Sequence, residues 1–529
     1  MVNSPSYDGN IDPIKAILRL TEPIFVIDEP CAYQGANLPY TVSNKIKDSV
    51  KILAFTPAIL PQNLGSKSLK EDLGIKYPCI SGSMANGIAS EDLVVSMAKA
   101  GMMGFFGSAG LSLESVEAHI DSLKEKLGDL PHGFNLIHSP YDQDLESKLA
   151  ELFIDKGVEN LEASAFLTLT PPILHYRYSG IKRLPNGEIF SPHRVFAKVS
   201  RQEVAQKFLS PPPAEMLQTL VEQGKLTPEE AELAQYLPPA YALTAEADSG
   251  GHTDNRPALV LIPSIIELRN TMQKKYGWNV PVGAAGGVST PQAANAMFSM
   301  GAAYIMTGTV NQACVESGSS DCVRDMLSKA NSADVTMAPA ADMFEMGVNV
   351  QVLKWGTMFP LRAKKLYEIY RTYPNYQAIP QEVREQIEKS ILRAGFEEVW
   401  QSTAQFFMKR DPRQIDKANK DPKHKMALVF RSYLGQASRW ANAGLPERKA
   451  DYQIWCGPSI GSFNQWCKGT FLDSAKERHA DLVNLNILAG ACVLARVSLL
   501  QSQGLELPAE LCQFSPRSYN DLVSILQES

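Results

Sequence analysis

Between residues 77 and 310, short apolar runs that end in Gly, Ser or Asp alternate with stretches of helical periodicity. That alternation restricts the chain to parallel strands joined by crossover helices. Eight runs follow one another: Tyr77–Ser81, Met102–Phe106, Phe134–Ile137, Asn160–Ala163, Val195–Val199, Tyr241–Glu246, Val280–Ala284 and Ala303–Met306. Helix starts fit between them, with Ser90 capping a turn that holds Glu91 and Asp92, and Thr290 capping one that opens on Pro291. The span is close to the roughly 250 residues of an eight-stranded βα barrel. A doubly wound sheet of eight strands would be wide, and its early fingerprint is missing here. The expected fold class is α/β, an eight-stranded βα (TIM) barrel.

Two segments break the regular alternation. Thr168–Arg194 contains Pro-Pro and Pro-Asn-Gly and reads as a hairpin or irregular loop. Residues 202–239 hold about three short helical patterns separated by prolines, read as a helical insertion between strands five and six that forms a lid. The alternative is a decoration remote from any site. After about residue 335 the pattern changes to long amphipathic helices such as Arg362–Tyr370, Gln381–Ala394 and Asp481–Leu500. The expected organisation is a flanking segment over 1–76 with two strand-like pieces, the barrel over 77–335, and a mainly helical C-terminal region over 336–529.

Composition narrows the partners. Of 529 residues, 51 are Lys or Arg and 57 Asp or Glu, a formal charge of −6, which provides no general attraction to nucleic acid or an anionic membrane. The start, MVNSPSYDGNIDPIK, lacks a basic stretch followed by an apolar run, so a cytoplasmic location is expected. The longest apolar stretch, Leu482 to Leu500, carries Asn484, Asn486 and Arg496 and reads as a buried helix instead of a membrane span. Eight scattered cysteines with no Cys-x-x-Cys, and eight histidines with no His-x-x-x-His, support neither a metal site nor a disulfide framework.

The strongest chemical signal is Gly283-Ala284-Ala285-Gly286-Gly287-Val288, followed by Thr307-Gly308-Thr309 after the next strand. Glycines admit an anion close to backbone N–H groups, and the loops after strands seven and eight are where barrels bind phosphate. A tight turn would also use Gly-Gly, but the pairing with Thr-Gly-Thr favours phosphate. After strand six, Glu246-Ala247-Asp248-Ser249-Gly250-Gly251-His252-Thr253-Asp254 sets a histidine in a glycine-rich loop. An imidazole with an ordinary pKa near 6.5 suits proton donation at neutral pH, so His252 is the candidate acid and Gly250 and Gly251 lie beside the ligand. After strand one, Gly82, Ser83 and Met84 within Ser81–Ala85 would let a flat ring lie against backbone. Asn135, Glu162 and Lys198 would point into the barrel mouth. Lys198 is either a cation beside the N1–C2=O edge of a flavin or the partner of Glu162.

Two motifs are set aside. Gly457-Pro458-Ser459-Ile460-Gly461 matches a nucleophile elbow, but the acid and histidine after it, Asp473 and His479, come too soon. Gly101, Gly104 and Gly107 have the wrong first spacing for a dinucleotide fingerprint, so any nicotinamide nucleotide binds without a Rossmann domain.

With these residues in view, the chain resembles the PfaD family, the stand-alone enoyl reductases of polyunsaturated fatty acid and polyketide synthases, related to the nitronate monooxygenase and FabK-type barrels. SGSMA, EADSGGHTD, GAAGGVSTPQAA and IMTGT carry the wider resemblance over residues 77–315. CAYQGANLPY, FEMGVNVQVLKWGTMFPLRAKKLYEIY and WCGPSIGSFNQWCKGTF carry the narrower one. The resemblance implies FMN at the barrel mouth, its phosphate on Gly286, Gly287, Gly308 and Thr309 and its ring near Ser83 and Met84. It implies NADPH as reductant, a trans-2-enoyl thioester on acyl carrier protein as substrate, and His252 as donor of a proton to the α-carbon. It is compatible with a homodimer. Arg362, Lys364 or Lys365 is a candidate contact for an acidic carrier. The competing expectations are an FMN oxidase of the nitronate monooxygenase type, which uses the same histidine as a base, and a synthase scaffold without catalysis.

Overall fold

A computed structural model describes residues 12–33, 36–45, 50–138 and 143–526. Eight parallel strands close into the expected barrel: β1 (Cys79–Ser81), β2 (Met103–Phe106), β3 (His132–Ile137), β4 (Asn160–Ser164), β5 (Arg194–Val199), β6 (Ala242–Glu246), β7 (Val282–Ala285) and β8 (Ile305–Thr307). Closure comes from β8 pairing with β1, where Ile305, Met306 and Thr307 stand opposite Cys79, Ile80 and Ser81. Inside, Ile80, Phe105, Phe196, Tyr304 and Met306 form a closed cluster, so the barrel is a packed core open only at its strand ends. Phe105 and Phe196 meet edge to face at 5.2 Å between centroids, a favourable geometry for two aromatic quadrupoles.

Residues 168–194 contain more order than their turn residues suggest. The prolines occupy the first two positions of a helix, Pro171–Tyr178, where the missing N–H costs nothing, and a hairpin of Lys182–Arg183 with Ile189–Phe190 follows. The insertion after β5 forms the helices Gln202–Phe208, Ala214–Glu222 and Pro228–Ala234. It is fastened to the barrel flank, where Tyr178 Oη donates to the Leu237 carbonyl at 2.9 Å and the Gly180 N–H donates to Glu230 Oε1 at 2.7 Å.

The two N-terminal strand-like pieces are strands, and they pair: Ile24–Ile27 lies between Thr41–Ser43 and Ile52–Thr56 in an antiparallel sheet. The C-terminal region opens on a hairpin that helical periodicity does not announce, β9 (Val335–Pro339) with β10 (Asn349–Leu353). Helices follow: α1 (Phe359–Thr372), α2 (Phe396–Arg410), α3 (Arg413–Lys420), α4 (Pro422–Ala443) and α5 (Ala480–Ser502). Phe344, Val350, Phe359, Leu366, Phe430 and Tyr433 build a second core there. Its ionic centre is Asp451, fully buried between Arg362, Arg393 and Arg448 and accepting from Tyr433 Oη at 2.9 Å.

Among the described residues, α5 is the one helix long and apolar enough to cross a membrane, and 78% of its most apolar window is buried within the protein. Its polar interruptions find partners in that interior. Asn484 Oδ1 accepts from Thr307 Oγ1 at 3.0 Å, and the buried Arg496 donates to the carbonyls of Ile17, Arg19 and Glu22 at 3.0, 2.7 and 2.6 Å. The N-terminal segment, the barrel and α5 are thereby fastened together.

Candidate active site

The C-terminal ends of the strands open into a cavity of about 970 Å³. Strand ends and their loops form its floor, while the connection between β9 and β10 and the helices α2, α3 and α4 form its roof. Roof residues include Ser402, Phe406, Arg410, Gln414, Arg431 and Arg439. The 202–239 insertion, expected as a lid, contributes only Val204 to this lining. Its prolines and the Thr227 to Glu230 capping box order short helices on the flank, and the cover comes from the chain after residue 335.

All twelve candidate residues line the one cavity: Gly82, Ser83, Met84, Asn135, Lys198, Gly250, Gly251, His252, Gly286, Gly287, Gly308 and Thr309. Barrel topology brings them together, because each follows or ends a strand whose C-terminal end faces the mouth.

The floor is an ionic network. Lys198 Nζ lies 3.1 Å from Glu162 Oε1 and 3.5 Å from Glu246 Oε1. Glu162 also accepts from the Ser83 N–H at 3.1 Å, from Ser83 Oγ at 2.5 Å and from Ser164 Oγ at 3.2 Å. Burial alone would lower the lysine's pKa, but the two carboxylates reverse this and hold it above its ordinary value. Lys198 is therefore a cation in the site and the partner of Glu162 at once. Asn135 is held by its carbonyl side, where Oδ1 accepts from Ser108 Oγ at 3.0 Å and from the Ala109 N–H at 3.2 Å.

The two predicted anion loops sit side by side. Gly286 and Gly287 adopt φ values of +80° and +79°, which no ordinary side chain takes comfortably. A Cβ on Gly286 would lie 2.6 Å from the Ala247 carbonyl, whereas one on Gly287 or Gly308 would meet nothing within 4 Å. Among the described residues, the Ser249 hydroxyl, which also lines the cavity, is buried without a hydrogen-bond partner. An unfilled space bordered by backbone and an unsatisfied hydroxyl suits a polar, anionic group. Gly250 has a different origin: its Cβ would strike the Cys456 backbone at 2.7 Å, so its smallness admits the Trp455–Gly457 segment instead of a ligand. The Gly457 N–H in turn donates to Thr309 Oγ1 at 3.4 Å, so the rejected elbow motif buttresses the anion loop.

His252 belongs to a two-residue strand, Gly251–His252, paired antiparallel with Val350 and Gln351 of β10. Its Nε2 lies 3.2 Å from Asp342, in the β9–β10 connection. Burial pulls the imidazole pKa down, yet the hydrogen bond and charge of Asp342, aided by Glu246 and opposed by Lys198, leave it above the ordinary histidine value. Asp342 moves the opposite way, held below the usual carboxylate range by the same histidine against the upward pull of burial. Next to it, Arg201 grips Asp254 through two bonds of 2.8 and 2.7 Å, tying the end of β5 to the histidine loop.

Asp342 and the paired role of Glu246 escaped the sequence reading. Glu246 stands in a quoted motif and could have been assigned as the third member of a buried charge set. Asp342 lies 90 residues from His252, in a loop with no periodic or motif signal.

Residues 229–394 match the family model for nitronate monooxygenase, and residues 373–452 match that for the inserted helical domain of [acyl-carrier-protein] S-malonyltransferase. The chain is 37% identical to the enoyl reductase domain of MlnA from the macrolactin biosynthesis cluster of Bacillus amyloliquefaciens, with a TM-score of 0.78 over 83% of this chain and 98% of that one. The chain belongs to the PfaD-type enoyl reductase family of polyunsaturated fatty acid and polyketide synthases. Within this family it is 44% identical to a polyunsaturated fatty acid synthase polypeptide of Thraustochytrium sp., over 95% of this chain and 34% of the relative. It is 42% identical to polyketide biosynthesis protein PksE of Bacillus subtilis, over 88% of this chain and 60% of the relative. The chain thus spans between about a third and three fifths of the length of these two curated relatives.

Proposed function

We propose that this family member is a cytoplasmic, NADPH-dependent enoyl reductase that saturates trans-2-enoyl thioesters carried on an acyl carrier protein. One observation carries the reading: an acid-competent histidine, the Lys198–Glu246 pair backed by the buried Glu162, and two glycine-rich anion loops meet at a single cavity. The nitronate monooxygenase and FabK-like family is flavin-dependent, and the residues present fit FMN. Gly287 and Gly308 leave room for its phosphate, the Ser249 hydroxyl lacks a partner among the described residues, and Ser83, Met84 and Asn135 border the space for its ring. When bound, FMN supplies hydride chemistry at N5, with NADPH as the source of the hydride.

The chain's own residues supply the rest. Saturating a conjugated thioester consumes one hydride at the β-carbon and one proton at the α-carbon, and His252 is the group positioned to give the proton. Lys198 lends positive charge to the floor without being an isolated cation, since Glu162 and Glu246 keep it ionised and oriented.

For the carrier, the geometry favours the rim of α2 and α3. Phe406 and Met408 are 42% and 62% exposed there, Lys409, Arg410, Arg413, Lys417 and Lys420 follow them along the two helices, and Phe406 and Arg410 line the cavity. An apolar lip beside a run of basic residues suits an acidic carrier delivering an acyl chain. Of the three residues expected at this contact, the buried Asp451 engages Arg362 and Lys365 donates to Gln386 at 2.5 Å, while Lys364 makes no ion pair among the described residues.

Anaerobic mixing tests the reading. NADPH should bleach the flavin absorbance, and an enoyl thioester, not a nitronate, should restore it. Recovery with the nitronate alone assigns the oxidase instead, and a colourless protein that takes up no FMN leaves the scaffold.

A further inference from the structure

The hairpin β9–β10 holds His252 twice. Its strand β10 pairs with the backbone of Gly251 and His252, and its connection brings the Asp342 carboxylate 3.2 Å from the ring's Nε2. The connection itself is anchored from the helical side. Arg431 of α4 donates from Nε to the Ala341 carbonyl at 2.8 Å and from Nη1 to Glu345 at 3.1 Å, and the Phe344 ring is buried against Tyr367 and Tyr370. The carboxylate is further oriented by the Met343 N–H, which donates to its Oδ1 at 3.1 Å. An imidazole gripped at both its backbone and one nitrogen has its orientation and its tautomer decided by the grip.

We propose that Asp342 is the positioning residue of the proton donor: by accepting from Nε2–H of His252 it reserves Nδ1 as the nitrogen that carries the transferable proton. A carboxylate accepts only, so Nε2 keeps its hydrogen in both the neutral and charged rings, and the second proton can load and leave only at Nδ1. Among the described residues, Nδ1 has no hydrogen-bond partner. The charged groups that face the ring are Asp342 from the roof and Glu246 and Lys198 from the floor, with Arg431 beyond Asp342. Two anions against one nearby cation favour the loaded, imidazolium state, in agreement with the raised histidine. The donor is then assembled from two parts of the chain: the barrel supplies the imidazole, and the C-terminal region charges and aims it.

That proton reaches substrate only if the enoyl reductase reading holds, but the tautomer and titration of His252 do not depend on it. The test uses the full chain with ¹⁵N-histidine, His252 being assigned by its loss in His252→Ala. In the parent protein the nitrogen shifts should report the Nε2–H tautomer, with a titration midpoint above the ordinary value of about 6.5. Asp342→Asn should lower that midpoint by about one unit, the scale of removing one close opposite charge. It should also move the alkaline fall of kcat for enoyl reduction to lower pH by the same amount, with KM for the thioester changed less than about twofold. Asp342→Glu should recover part of the shift. An Nδ1–H tautomer or a midpoint below the ordinary value in the parent protein overturns the proposal without any variant, as does an Asp342→Asn protein that loses rate equally at every pH. A raised, Nε2-protonated histidine in a protein that reduces no enoyl thioester would instead refute the reductase reading and leave the assignment of Asp342 standing.

Discussion

Lys198 Nζ stands 3.1 Å from Glu162 Oε1, and that glutamate side chain has no exposure to solvent. A carboxylate in such a place is tolerable only while its cation and its serine donors remain. Lys198→Met should therefore cost about 3 kcal/mol in urea unfolding, because it strands Glu162 and Glu246 together. Lys198→Met combined with Glu162→Gln should recover much of that loss. Equal instability of the single and double variants would show that the charge set is not what holds the floor.

The anion loops separate folding from binding. Gly308→Ala puts a methyl group into open space, so its stability should stay within about 1 kcal/mol of the parent, while FMN affinity falls about tenfold as the methyl occupies the phosphate's room. Gly286→Ala should instead destabilise by more than about 2 kcal/mol, since its methyl meets the Ala247 carbonyl at a positive φ. Fluorescence titration of FMN together with thermal melts reads both. Unaltered FMN affinity in Gly308→Ala would remove that loop from the binding site.

Asp254 gives a pH signature. The Arg201 guanidinium and the Ser200 hydroxyl hold its carboxyl down at about 2 against the upward pull of burial, below an unfolded value near 3.9. Its stabilising contribution is therefore complete above about pH 4 and disappears as pH falls through about 2. Melting temperature in the parent should fall more steeply between pH 5 and pH 2 than in Asp254→Asn. Parallel curves would mean that the Arg201 pair contributes nothing to holding the histidine loop.

Charge at the cavity rim should govern carrier delivery and not chemistry. Lys409, Lys417 and Lys420 make no ion pair among the described residues and lie outside the cavity lining. Changing all three to Glu should lower kcat/KM for carrier-bound enoyl substrate at least tenfold at low salt, an effect that fades as ionic strength rises. A short uncharged enoyl thioester should be reduced at the parent rate. Equal losses on both substrates would place these lysines in folding or cofactor binding instead.

Much of this protein is readable along the chain because barrel geometry is local and periodic. Each strand is a short contiguous run, each functional loop directly follows its strand, and the topology directs every such loop to the same end. Lys198, Gly287, Gly308 and His252 consequently reach one cavity although nothing in their spacing states a distance. The reading of Ala480–Ser502 as a buried helix and not a membrane span is equally local, since Asn484 and Arg496 carry polar groups that hydrocarbon would leave unsatisfied and that here meet Thr307 and backbone carbonyls.

The sequence by itself therefore determined the barrel, its open end and the set of side chains gathered there. Tertiary structure alone decided what covers that end and what the histidine faces. The 202–239 helices went to the flank, the β9–β10 hairpin and α2 to α4 closed over the mouth, and Asp342 arrived at His252 across 90 residues. Contacts of that kind arise from the packing of a second core against the first. Such packing depends on shape and burial integrated over many residues, and no periodicity or short motif records it.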